Sequence, residues 1–117
     1  MGYWPTPKAL QMASDESTEH VELAVSYRFA QEHGWVVNAI TGFLSAYYME
    51  DPRFHLTRRY DELDTGRIVW LCQIEAGMPM KRLIKRLLLD LPQSRVTEGR
   101  HGLNGLTRYV IDAAGEN

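Results

Sequence analysis

The stretch RIVWLCQIEAGMPMKRLIKRLLLDL, residues 67–91, governs how the rest of the chain is read. Its first part, Ile68 to Glu75, is nearly all apolar and rich in β-branched and aromatic side chains, the composition of a buried strand. Ala76-Gly77 then turns the chain, Pro79 fits the first helical position, and Leu83, Ile84, Leu87, Leu88 and Leu91 recur at helical spacing until Pro92 ends the run. Burying a side chain of this size contributes about 1.5–3 kcal/mol before the entropy of ordering is subtracted, so the helix is expected to pack on the sheet. A buried strand that feeds a helix start also offers an anion site, with unpaired N–H groups and the positive end of the dipole behind Lys81 and Arg82. The unit reads first as a connection within the core and second as a binding element.

Upstream, Val21, Leu23, Val25, Tyr27 and Phe29 alternate with Glu22, Ala24, Ser26, Arg28 and Ala30, which predicts a half-buried strand with the second set on its outer face. Gln31-Glu32-His33-Gly34 supplies a turn, and the apolar run from Trp35 to Phe43 predicts a second strand that completes a hairpin. Between Leu44 and Leu63 the alternation stops. That segment reads as irregular or helical crossover, with Pro52 opening its helical part. Asp64-Thr65-Gly66 is a turn signal ahead of the central strand, and short strands are expected over residues 94–98 and 106–111, joined by a loop over 99–105. The expected fold class is α+β, a single domain with a mixed, mainly antiparallel sheet and packed helices. An N-terminal arm takes residues 1–20, the domain residues 21–114 and a tail residues 115–117.

A chain of 117 residues is large enough for one modest core and too small for two. The formal charge of −2 gives no general reason to expect nucleic acid, and a basic strip on a single helix, Lys81, Arg82, Lys85 and Arg86, is ordinarily a solvated face. A single cysteine, Cys72, excludes a disulfide framework within the chain and fits a reducing, cytoplasmic setting as a small buried hydrophobe. No run of 18 apolar residues is present, so no membrane span is expected. No His/Cys/Asp/Glu grouping has metal-site spacing, and no Walker loop or Gly-x-Ser-x-Gly occurs, so metal and P-loop chemistry are disfavoured.

The expected order of hairpin, crossover helix, central strand, helix, strand, strand resembles the core of the GCN5-related N-acetyltransferase-like, acyl-CoA N-acyltransferase-like fold. Four segments are similar to those of the RTX-toxin-activating lysine acyltransferases: Gly42-Phe43-Leu44-Ser45, Asp64-Thr65-Gly66-Arg67, Val69-Trp70-Leu71 and Ala76-Gly77-Met78-Pro79. Ser17-Thr18-Glu19-His20 has the spacing of the family's Ser-x-x-His, which would make His20 catalytic. The family's aspartate on the central strand falls at Gln73, which cannot act as a general base. Glu75, at the end of an apolar strand, is the independent candidate for a base.

The resemblance implies transfer of an acyl group from coenzyme A or an acyl carrier protein to an amine or protein acceptor. The donor would lie along an open edge of strand 68–75, beside Ile74, Ala76, Gly77, Lys81 and Arg82. The alternative is a non-enzymatic module of the same fold, of a phage-type or regulatory kind, that binds a protein partner through Tyr3-Trp4-Pro5 and the basic helix. Nucleic-acid binding ranks last. His33, His55 and His101 read as ordinary turn or surface residues, and Tyr109 as a packed strand aromatic that could also serve as a general acid.

Overall fold

Val21 to Val25 keep the expected alternation, and Ser26 stops it. The structure, a computed structural model, describes residues 18–101 and 105–114. Strand β1 runs Thr18–Ser26, and Ser26, with extended backbone, accepts a hydrogen bond on Oγ from the Phe29 amide at 3.0 Å. That is an N-cap, so helix α1 occupies Tyr27–Glu32 where the alternation predicted more strand. The first three residues of β1, Thr18 to His20, fall within the stretch expected to be an arm. The rest of that arm and the tail lie outside the described residues.

The second half of the predicted hairpin is corrected outright. Residues 36–50 form helix α2, Val36–Glu50, with Val36, Ile40 and Leu44 fully buried at a spacing of four. The β-branched residues that suggested a strand are tolerated because their burial follows the helical period, and tertiary packing outweighs a weak local preference. The crossover reading of residues 44–63 is corrected as well. Asp51 caps α2, Pro52 sits in the turn after it, and strand β2 covers Phe54–Glu62 with an irregularity between Leu56 and Arg58. Gly66, at φ +67°, makes the predicted turn into strand β3, Arg67–Glu75, and its carbonyl accepts from the Tyr27 amide at 2.8 Å. Helix α3 follows at Met80–Leu88 with Pro79 as its N-cap, then β4 at Ser94–His101 and β5 at Leu106–Ala113.

The strand order is β2-β3-β1-β5-β4. Three pairings are antiparallel and one, β1 with β5, is parallel, which makes the α+β, mixed and mainly antiparallel class correct. The strand expected to be central, β3, is instead second from the edge, and β1 holds the centre. All three helices bury their apolar residues against one face of the sheet, where Leu23, Trp70, Cys72, Ile74, Tyr109 and Ile111 form the core with Phe29, Ile40, Leu44, Leu83 and Leu87. The alternate residues Glu22, Ala24, Val69 and Arg108 lie on the other face and are buried too, which corrects the expectation of an outer, solvent-facing set on β1.

Candidate functional site

Helix α3 divides the helical face of the sheet. Toward α2, the Arg86 guanidinium lies 6.0 Å from the Phe43 ring centre and 5.8 Å from that of Tyr47. Toward β4 and β5 the helix leaves a groove of about 770 Å³. Its α3 wall is the stripe Lys81, Ile84, Lys85 and Leu88, spaced one and two turns apart, with Arg82 beside it. The sheet supplies Val96 and Glu98 from β4 and Tyr109 from β5, and Pro79 closes the end. A second hollow of about 340 Å³ adjoins it, sharing Pro79, Lys81 and Tyr109 and reaching Ile74, Met78, Met80, Thr107 and Glu19. The floor is mainly apolar, with the Glu98 carboxylate on the sheet side. Among the described residues, Lys81, Arg82 and Lys85 are in no ion pair, so three cations along one wall face a single carboxylate across the groove.

Of the residues predicted to hold an acyl donor, Ile74, Lys81 and Arg82 line these two hollows, while Ala76 and Gly77 form the exposed turn before α3. Gly77 is at φ +89°, a conformation that favours glycine. The expected cradle of free amides is partly spent: the Met80 amide donates to the Met78 carbonyl at 2.8 Å and the Arg82 amide to the Pro79 carbonyl at 3.0 Å. The positive character of this corner therefore comes from side chains. The open edge expected beside residues 68–75 is filled, because β3 pairs with β1 along its whole length and with β2 from Arg67 to Ile74.

His20 and Glu75 are not brought to the groove. His20 pairs with Gln73 across β1 and β3, and Glu75 follows Gln73 by two residues, so both share the face that carries no helix. Gln73 donates to Thr18 Oγ1 there at 3.3 Å, and Glu75 is exposed. Ile74, Lys81 and Arg82 serve the opposite face. Of the other histidines, His33 caps α1 with its ring 5.3 Å from that of Phe29, and His55 lies 4.5 Å from Tyr48.

The helix-free face holds a site the sequence did not disclose. Arg108 is 3% exposed; its Nε donates to Glu22 at 2.9 Å, and its two terminal nitrogens reach Glu62 at 2.7 and 2.8 Å. Tyr60 donates to the other Glu22 oxygen at 2.9 Å. Two carboxylates around one guanidinium give the cluster a formal excess of negative charge. Both carboxylates hold the guanidinium firmly charged, the Glu62 hydrogen bonds most of all, and push its pKa up.

Burial raises the pKa of Tyr60, helped by the hydrogen bond to Glu22, and burial also raises Tyr47 and Tyr109. A phenol whose folded pKa lies above its unfolded value of about 10 binds its proton more tightly when folded, so its stabilisation is present below that pH and fades above it. The urea midpoint is therefore expected to stay level to about pH 9 and to fall as pH passes about 10, with a shallower fall in Tyr60→Phe. A midpoint unchanged up to pH 11 would contradict this.

Among the described residues no three His, Cys, Asp or Glu side chains are grouped to hold a metal ion, and no helix is long and apolar enough to cross a membrane. Comparison with protein-family models, curated proteins and solved structures returns no match.

Proposed function

We propose that the chain is a small ligand-binding module whose α3/β4–β5 groove takes an amphiphilic anion, an aliphatic body ending in a carboxylate or phosphate. The observation that carries this reading is the pairing of a mainly apolar floor with three cations on one wall that make no ion pair among the described residues and outnumber the one carboxylate of the groove, Glu98. A volume of about 770 Å³ is in the range of small-molecule sites, which are mostly apolar with a few convergent polar groups. Acyl thioesters of coenzyme A or of an acyl carrier protein belong to the same chemical class, and the placement of Ile74, Lys81 and Arg82 around this trough favours acyl transfer as the second reading. That reading needs a base on the groove side, since His20 and Glu75 stand behind the sheet. The protein-partner reading leans on Tyr3-Trp4-Pro5, which lies outside the described residues, and on a basic helix whose Arg86 is stacked on aromatic rings.

Calorimetric titration with decanoate, decyl phosphate and octanoyl-coenzyme A tests the assignment. Saturable binding is expected, weakened about tenfold by Lys81→Ala with Arg82→Ala through loss of charge-assisted hydrogen bonds. Binding is also expected to weaken at high salt. Failure of all three to bind, or an unchanged affinity in the double variant, would remove the assignment. If octanoyl-coenzyme A alone binds, the acyl-donor reading moves ahead.

A further inference from the structure

We infer that the outer face of α2 and α3 is a docking surface for an anionic lipid bilayer. Residues 35–49 contain no Asp, Glu, Lys or Arg, although α2 exposes one whole side. Its exposed stripe, Trp35, Asn38, Gly42, Ser45 and Met49, recurs every three or four residues along the side opposite the buried Val36, Ile40 and Leu44. Trp35, 50% exposed, and Met49, 87% exposed, stand at the two ends of the stripe, and open space lies over Gly42. A single exposed apolar side chain is ordinary. A surface helix usually carries charge on the side away from the core, so a full stripe without any marks a face suited to more than water.

Helix α3 supplies the charge. Residues 76–89 contain no Asp or Glu, and the exposed stripe of α3 is Lys81, Arg82, Lys85 and Arg86, followed by Leu89 at 84% exposure. Arg86, stacked on Phe43 and Tyr47 of α2, joins the two stripes into one face, and both helices pack on the same side of the sheet. A strip of cations alone is an ordinary solvated face, and it is the uncharged neighbour that selects the partner. Nucleic acid would set phosphates against α2, which offers them no cation. A second copy using the same face would bury cations from both molecules with no carboxylate on that face to pair them. A bilayer suits both halves: anionic headgroups meet the cations of α3, while Trp35, Met49 and Leu89 enter the headgroup–acyl boundary, where Trp is favoured. Delivery of an amphiphilic anion from the bilayer into the groove, which lies on the same side of the sheet, rests on the groove reading; the docking itself does not.

The test is co-sedimentation of the full chain with phosphatidylcholine vesicles, with and without about one-third phosphatidylserine. Binding to the anionic vesicles is expected, with little to the neutral ones and a fall at high salt. Asn38→Glu with Ser45→Glu puts two carboxylates on the α2 stripe and should weaken that binding about tenfold. Neither residue lines the groove, so decanoate affinity is expected to stay within about twofold. Both side chains are exposed and Asn38 lies in the first turn of α2, where an acid is favoured, so the fold is expected to tolerate the change. Trp35→Ala is the second variant, expected to weaken anionic-vesicle binding about threefold. Binding to neither vesicle, equal binding to both, or full binding by the double variant overturns the inference even if decanoate binds. A dimer in sedimentation equilibrium that the double variant loses, with no vesicle binding, gives the face to a second copy and overturns the inference as well. Vesicle binding without decanoate binding overturns the groove reading instead.

Discussion

Replacing Arg108 by Met is expected to destabilise the fold by about 3–5 kcal/mol, the largest effect of any single charge removed from this chain. The guanidinium side chain is 3% exposed and is shared by carboxylates whose side chains are 4% exposed in Glu22 and 15% in Glu62. In a site so removed from water, attraction between the three groups offsets the cost of burying them, and taking away the cation leaves two largely buried carboxylates without their shared counter-charge, held only by neutral donors such as Tyr60 on Glu22 and Thr65 on Glu62. A domain of this size holds about 5–15 kcal/mol in total, so the variant is expected to be partly unfolded at 37 °C. Urea unfolding followed by circular dichroism measures the loss. Replacing all three groups with apolar residues of similar volume, Arg108→Met with Glu22→Leu and Glu62→Met, is expected to recover most of it, because the desolvation cost disappears with the attraction. A loss under about 1 kcal/mol in the single variant would mean that the cluster is hydrated rather than buried.

That cluster also shows where sequence reading stops. Glu22 and Arg108 are 86 positions apart and meet because β1 lies parallel to β5, a pairing that no local pattern specifies. What the sequence does offer is indirect: Glu22 stands between Val21 and Leu23 in an otherwise apolar run, and Arg108 shares an alternation with Leu106 and Val110. Charges at such positions are candidates for pairing with each other. Elements carrying a single clear period were legible, β3 and α3 above all, because composition, turn residues and spacing agreed there. Residues 26–30 were misread because Phe29 is buried in a helix at a position that also continues a period of two from Val25. Residues 36–50 were misread because Val36, Val37, Ile40 and Thr41 carry a strand-like composition on a helical period, and period is the stronger guide. The cations of the groove were legible one by one from their place near a helix start. The sheet side of the groove, Val96, Glu98 and Tyr109, was not legible as a set, since only the register of β4 and β5 brings these residues together.

Trp70 ties the sheet to the helical layer, and Trp70→Ala is expected to cost about 3–5 kcal/mol. Its ring is fully buried near the middle of β3, paired with Leu23 on one side and Arg59 on the other, within the core that Ile40 and Leu44 of α2 also fill. Its indole N–H donates to Thr41 Oγ1 at 3.0 Å, and the Thr41 hydroxyl in turn donates to the Val37 carbonyl at 2.9 Å, so the indole finds a partner without breaking the helix. Truncation removes both the buried area and that bond, and an α2 held by its own backbone cannot move inward to fill the space. Trp70→Phe keeps most of the area and loses the bond, so its cost should fall well below that of the alanine variant. Trp35, half exposed at the start of α2, is the internal control, and Trp35→Ala should change stability by no more than about 0.5 kcal/mol. A Trp70→Ala loss under about 1.5 kcal/mol would show that α2 does not seal this face of the sheet. The groove lies across α3 from Trp70, so decanoate affinity in a folded Trp70→Phe protein should stay within about twofold of the parent, separating loss of the core from loss of the site.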